Sequence, residues 1–370
     1  MNTQPQLPFL KYAMSHLEKS VALGPCIDLV QCIREGNLIP FLNNSLRDDR
    51  FMAMFGFPER SLEEFIAENW AGELGYPLKD CWDLARVAQY HQVTQRSSSK
   101  AKRDYLNFLK RGLLGWAKAN DPQAAAKIRD QNLDHNEALA FADLVSELGY
   151  PTYAKGQADP LCLLAQLPFP IYITTSYYDF LERELQKQNK DVRSQVCTWS
   201  GMTKVSDKSY LPDPGYEPTP MAPLVFHLFG IERFPETLVL SVDDYLSFLV
   251  RIFLREAEAK TSAVAGGLPI PTYLWEKVAG LHLLVLGYQI HAWDFQIVFR
   301  GIIAAKPAAA RSDAGLVVQL DPAKQHEVTD PERLREYLKS YFDQEVRFRV
   351  EIGKSDEFIA ELYDSYHSQS

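Results

Sequence analysis

Apolar and polar positions follow two different rhythms along this chain. Residues 7–36 carry a helical pattern broken at Gly24-Pro25. The second piece runs out at Arg34-Glu35-Gly36-Asn37, where Gly36 or Asn37 can take a left-handed cap. Leu38–Leu42 is an unbroken apolar run of strand length, followed by the polar turn Asn43-Asn44-Ser45-Leu46-Arg47. From Ser61 to about Leu148 the helical period returns. Ser61-Leu62-Glu63-Glu64 forms a capping box, and Leu62, Phe65, Ile66 and Trp70 then share one face. Tyr105, Leu109, Leu113 and Trp116 repeat that stripe. These positions predict an all-helical insertion packed on a sheet domain.

After Asp159-Pro160 the texture changes to short apolar runs alternating with helical stretches. Strands are predicted at Ile171–Thr175, Gln195–Trp199, Leu224–Phe229, Thr237–Leu240, Leu281–Leu286, Leu316–Leu320 and Val346–Val350. Helices are predicted at Tyr177–Asn189, Val242–Ala257 (capped by Ser241), Phe295–Ala304, Pro331–Phe342 and Asp356–Tyr366. Such alternation predicts an α/β fold, a Rossmann-like, doubly wound, mostly parallel sheet with the helical insertion and a C-terminal strand and helix extension. The expected division is 1–50 for the N-terminal helices with the first strand and turn, 51–160 for the insertion, 161–305 for the core and 306–370 for the extension.

Composition narrows the class. The 370 residues are 46% apolar, 24% charged and 12% aromatic, the balance of an ordinary globular protein. Lys and Arg total 39 against 48 Asp and Glu, a net charge of −9, which argues against sequence-independent nucleic-acid binding. The locally basic stretch Arg96–Arg111 reads as a solvated helix face. No apolar run approaches the roughly 20 residues of a membrane span. The N-terminus shows no basic and apolar signal pattern, so a cytoplasmic location is expected. The five cysteines (26, 32, 81, 162 and 197) include no CxxC pair, so free thiols and no structural metal are expected.

Four strand ends run into polar residues, where doubly wound sheets place their ligands. They are Leu38–Ser45, Tyr172–Asp179, Phe226–Gly230 and Leu286–Tyr288, the last continuing to His291-Ala292-Trp293-Asp294-Phe295. Taken singly, each has a plain structural use. Ser176, Thr175 or Asp294 can cap a helix, Gly287 can mark a tight strand exit, and His227 can be a satisfied core histidine.

In order, these segments resemble the sirtuin-like domain of bacterial anti-phage defence proteins, a relative of the sirtuin deacetylases. The likeness runs through Ile173-Thr174-Thr175-x-Tyr177-x-Asp179-x-Leu181-Glu182, His227-Leu228-x-Gly230, and Leu238-Val239-Leu240-Ser241-x-Asp243-Asp244-Tyr245. It continues in Leu284-x-Leu286-Gly287-Tyr288 and Trp293-Asp294-Phe295-x-x-x-x-Arg300-Gly301, and covers roughly residues 28–305. The resemblance implies an NAD site. A glycine-rich turn cradles the phosphates, an asparagine follows the Ile-Thr-Thr strand, and a histidine acts near the nicotinamide ribose. Its usual outcome is NAD hydrolysis at the nicotinamide N-glycosidic bond.

This chain departs from that pattern at three positions. The glycine-rich turn is Asn43-Asn44-Ser45, the asparagine is Ser176 and the histidine is Phe229. Asparagine tolerates positive φ, so the turn itself can survive, but its side chains fill space where bare backbone meets pyrophosphate. His227, two residues before Phe229, shares its strand face, and Asp294 or Asp179 can supply negative charge.

Two readings follow. One is an NAD glycohydrolase acting through Ser176, His227 and Asp294, with Asn43, Asn44, Ser45, Thr175, Tyr177, Asp179, Gly230, Gly287 and Tyr288 holding the nucleotide. The other is a catalytically dead pseudoenzyme, serving as a nucleotide sensor or structural subunit. No separate sensing domain is recognisable, so a separate sensor protein or homo-oligomerisation is the expected trigger, with neither membrane nor nucleic acid as partner.

Overall fold

The computed structural model describes residues 28–58, 60–128, 139–153, 157–200, 205–213, 215–258, 270–288, 295, 315–319, 329–341 and 348–368. The chain enters through α1 (Leu29–Arg34) and β1 (Leu38–Leu42), then a 3₁₀ turn at Asn44–Arg47. Six helices follow: α2 (Asp48–Phe55), α3 (Leu62–Leu74), α4 (Leu84–Gln95), α5 (Ser98–Asn120), α6 (Pro122–Ala125) and α7 (Phe141–Leu148). The sheet resumes through α8 (Pro160–Gln166), β2 (Ile171–Thr174), α9 (Phe180–Lys187), β3 (Arg193–Val196) and β4 (Leu224–His227). Then come α10 (Val242–Glu258), α11 (Thr272–Gly280), β5 (His282–Leu286) and β6 (Gly315–Gln319). The last described elements are α12 (Pro331–Ser340), β7 (Phe348–Ile352) and α13 (Ser355–Ser368).

The seven strands among the described residues form one parallel sheet in the order β3-β4-β2-β1-β5-β6-β7. The expected Rossmann-like α/β fold is therefore present. β1 and β2 are buried along their whole length, as parallel strands with helices on both faces must be. Pro40 lies within central β1, and the β2 ladder begins only after it, at Phe41↔Ile173.

Side chains alternate across the sheet into two cores. One holds Ile39, Phe41, Ile173, Phe226 and Val285 against Trp70 and Tyr105 of the helical layer. The other holds Leu38, Leu42, Tyr172, Val225 and Leu284 against α1, α8, α9 and α13. β6 and β7, from the 306–370 stretch, continue the same sheet beyond β5.

Several expected elements shift. Thr237–Leu240 is no strand: Pro235–Thr237 is a 3₁₀ turn. Leu238, Val239 and Leu240 are buried as a loop, and the Val239 amide donates to the Phe229 carbonyl at 3.0 Å. Apolar residues fill core there without entering the ladder. The helix expected from Tyr177 begins at Phe180, and the Tyr177 hydroxyl donates to the Val239 carbonyl at 2.5 Å. Residues 7–27, and the helix Phe295–Ala304 apart from Phe295, lie outside the described residues.

The chain reverses direction in the sheet at β1, with β2 on one side and β5 on the other. The crevice beyond the carboxyl ends of β1 and β5 is the switch point, where nucleotides bind in such folds. No described helix is long and apolar enough to cross a membrane.

Candidate functional site

The turn after β1 is built around Asn43. Its side chain accepts the Ser45 amide at 2.9 Å and so caps the 3₁₀ turn. Asn43 has φ −118°, and Arg96 and Asn189 are the only non-glycine residues with positive φ among those described. The left-handed turn that asparagine was expected to preserve is thus replaced by an extended cap. The Ser45 hydroxyl sits between Asn43 Oδ1 and the Gly287 carbonyl.

Gly287, which ends β5, has φ +86°, and a Cβ there would lie 2.3 Å from Asn43 Oδ1 and 2.7 Å from Ser45 Oγ. Its amide donates to Ser355 Oγ at 3.0 Å. The Tyr288 hydroxyl donates to the Leu42 carbonyl at 2.9 Å and meets Thr175 Oγ1 at 2.8 Å. One buried tyrosine therefore ties together the ends of β1, β2 and β5. The chain's own side chains close the switch-point crevice.

Gly287→Ala is expected to lower the unfolding free energy by about 2–4 kcal/mol, from strained φ and overlap with Asn43. Gly353→Ala, where a Cβ meets nothing within 4 Å, is the control. Chemical denaturation of both variants checks this; equal, small losses would show that the β1–β5 contact yields freely.

The Ser176 hydroxyl accepts the Tyr178 amide at 3.2 Å, and the Ser176 amide donates to Thr174 Oγ1 at 2.9 Å. His227 is fully buried. Its Nδ1 meets the Ser176 carbonyl at 3.0 Å and its Nε2 meets Glu182 Oε1 at 2.5 Å. Burial opposes the charged ring, yet the Glu182 carboxylate and these hydrogen bonds outweigh it and raise the pKa above 6.5. The expectation that His227 shares a face with Phe229 and can reach the ligand does not translate into access. Both ring nitrogens are engaged inside the protein.

Asp179 is held by Arg183 Nε at 2.7 Å, and the same guanidinium reaches Asp143 on α7 at 2.7 Å. Gly230 has φ +87°, and a Cβ there would lie 2.4 Å from the Thr237 backbone, so it serves a tight turn. Asp294 lies outside the described residues.

A cavity of about 350 Å³ opens between the carboxyl edge of the sheet and the helical layer. Among the expected residues, Asn43, Asn44, Ser45, Thr175 and Tyr177 line it, as does Phe229. Ser176 instead lines a small neighbouring space of about 30 Å³ with Thr174 and Glu182. His227, Asp179, Gly230, Gly287 and Tyr288 are on neither described wall.

The opposite wall comes from the insertion, including Asp48, Phe51, Glu63, Tyr105, Phe108 and Trp116. Sequence reasoning missed Asp48, Glu63, Tyr105 and Tyr178 as site residues. The apolar stripes that surround them showed which helix faces turn inward, but not what they turn toward. Burial pushes the Asp48 carboxyl well above its ordinary 3.8, with the neighbouring charges of Glu63 and Asp49 adding to it. Burial likewise raises the hydroxyls of Tyr105, Tyr177 and Tyr178. Arg47 is drawn off by Asp159 and by Glu184, 3.2 Å away, and stacks over Phe180.

A parallel sheet with a cavity at its carboxyl edge defines a Rossmann-like α/β class. Residues 170–343 match the family model of the SIR2-like domain, so the chain carries a sirtuin-like domain, whose functions are NAD-related. That span runs from β2 past α12 and excludes β1, its turn and the helical layer. No curated protein matches the chain.

NAD, which the family implies, does not fit across the β1–β5 switch point, because Asn43, Ser45, Gly287 and Tyr288 occupy it. The adjoining cavity, toward the small end of the ~300–1,000 Å³ usual for ligand pockets, has room for one nucleoside half.

Proposed function

We propose that this protein is a sirtuin-like nucleotide-binding subunit that takes an NAD-derived ligand in the cavity under the helical layer and does not hydrolyse it. The observation that carries this reading is the state of the three motif positions. The β1 turn is an asparagine cap pressed against Gly287, Ser176 is spent on the Tyr178 amide, and Phe229 forms cavity wall. Hydrolysis at the nicotinamide N-glycosidic bond through Ser176, His227 and Asp294 is the competing reading. It requires His227 to leave Glu182 and reach the cavity. A silent binding subunit acts through a partner, either a second copy of this chain or a separate protein. In an anti-phage setting, its occupancy would report the state of the NAD pool to that partner.

Thermal and chemical unfolding with and without NAD tests this reading, alongside chromatographic assay of nicotinamide release, with the protein alone and with any co-purifying partner. At 100 times the dissociation constant, NAD is expected to stabilise the fold by about 2.7 kcal/mol, with nicotinamide release at background. Release that disappears in Ser176→Ala would overturn the reading in favour of hydrolysis. Absence of any NAD-dependent stabilisation would overturn it in favour of a purely structural subunit.

A further inference from the structure

A helix that starts on alanine has no side chain of its own to cap it, and α7 is such a helix. Its N-cap is Ala140, and the amides of Phe141 and Ala142 in its first turn have no partner within the helix. Glu232, 91 positions on from Phe141, takes both. Its Oε2 accepts the Phe141 amide at 2.5 Å and its Oε1 accepts the Ala142 amide at 3.0 Å. Glu232 is buried in the loop that leaves β4 through the tight turn at Gly230, and its own amide donates to the Tyr177 carbonyl at 2.8 Å. One residue thus fastens a helix of the helical layer to the carboxyl edge of the sheet. Phe141 is also cavity wall, with its ring 5.0 Å from that of Tyr178 on the sheet side. Seating α7 therefore closes one corner of the cavity.

The carboxyl that makes this joint is surrounded by mixed charge. Lys110 on α5 acts on it as a cation, while its ammonium donates to the Leu139 carbonyl at 3.2 Å. Asp179, just before α9, acts on it with like charge, and pairs with Arg183, which also holds Asp143 of α7 at 2.7 Å. Tyr178 is the titratable neighbour from the end of β2. Burial outweighs the two amides and Lys110, and pushes the Glu232 carboxyl from an ordinary 4.5 up to about 7. A group that holds its proton more tightly when seated makes proton binding favour the seated arrangement. That preference is full below about pH 4.5 and is lost as pH rises to about 7.

We propose that Glu232 is a proton-operated latch on the cavity. Neutral, it keeps α7 and Phe141 seated against the sheet; ionised, it lets that corner of the helical layer open. The latch works in the chain alone, and only its consequence for a nucleotide rests on the proposed function.

Hydrogen exchange of the full chain without ligand, corrected for the pH dependence of the chemical step, reads the latch at the amides of α7. Their protection is expected to fall by on the order of tenfold from pH 5 to pH 7 and to level off above that. In Glu232→Gln, which keeps shape and cannot ionise, the fall is expected to vanish, with circular dichroism confirming an intact fold. In Asp179→Asn, which removes a like charge, the levelling-off is expected at lower pH.

Protection of α7 that stays flat over this range in the wild type, or that rises with pH, would overturn the latch. So would a fall that persists in Glu232→Gln. If that variant does not fold, Asp179→Asn decides: a levelling-off at lower pH supports the assignment to Glu232, and one at unchanged pH overturns it. No nucleotide enters these measurements, so each failure leaves NAD binding standing. Absence of NAD-dependent stabilisation with the latch intact overturns the proposed function alone.

Discussion

Replacing His227 with alanine is expected to destabilise the protein by about 3–5 kcal/mol, because it strands a buried carboxylate. Glu182 is buried, its Oε1 is shared by His227 Nε2 and the Ser194 hydroxyl, and its Oε2 has no hydrogen-bond partner. Removing the imidazole leaves that carboxylate with Ser194 as its remaining described partner. The loss should depend on pH. The folded His227 pKa is raised above 6.5, so the pair's contribution is full below about pH 6.5 and drains away as pH rises through the raised value. Urea unfolding of the wild type and His227→Ala across neutral pH checks both points, with the widest gap at the acidic end. A gap under about 1 kcal/mol, or one independent of pH, would show that His227 is not a charged partner of Glu182. That result would also free the ring for the hydrolytic reading.

Lys102→Met is expected to cost a similar amount, about 3–5 kcal/mol, and to loosen the helical layer from the sheet. Lys102 lies on α5 and is buried, with its ammonium 3.1 Å from Asp244 Oδ1 and 5.2 Å from the centre of the Trp199 ring. Burial holds its pKa below the ordinary lysine value, and Asp244 pulls part of it back. The other oxygen of Asp244 accepts the amides of Leu240 and Ser241, each at 3.1 Å, at the start of α10. One carboxylate thus fixes the insertion, the Leu238–Leu240 loop and a helix start. Denaturation together with limited proteolysis of the 48–148 layer measures the effect. The double variant Lys102→Met/Asp244→Leu is expected to recover most of the loss, since a buried pair replaced by apolar groups is near neutral. Losses that simply add would contradict a direct coupling.

The parallel α/β sheet was legible because its central strands β1, β2, β4 and β5 are short, buried and nearly all apolar. The helical layer was legible because the cap at Ser61 and stripes such as Leu109-Leu113 are local signals, read within one or two turns. Leu238–Leu240 misled for the same reason. Three buried apolar residues look alike whether they enter a ladder or plug a core. The motif segments were legible in order, and residues 170–343 match the SIR2-like domain.

The sequence by itself determined that short apolar strands alternate with helices, though not that Leu238–Leu240 is a loop, and which three motif positions had changed. Only the tertiary structure decided what those changes do. Ser45 meets Gly287 across 242 positions, Lys102 meets Asp244 across 142, and His227 meets Glu182 across 45. Local periodicity carries no information about such pairs, because side-chain hydrogen bonds and burial depend on which surfaces the packed sheet and helices bring together. The same packing closes the β1–β5 crevice and opens the cavity beside it, which brings Asp48 and Glu63 of the helical layer to face the strand ends.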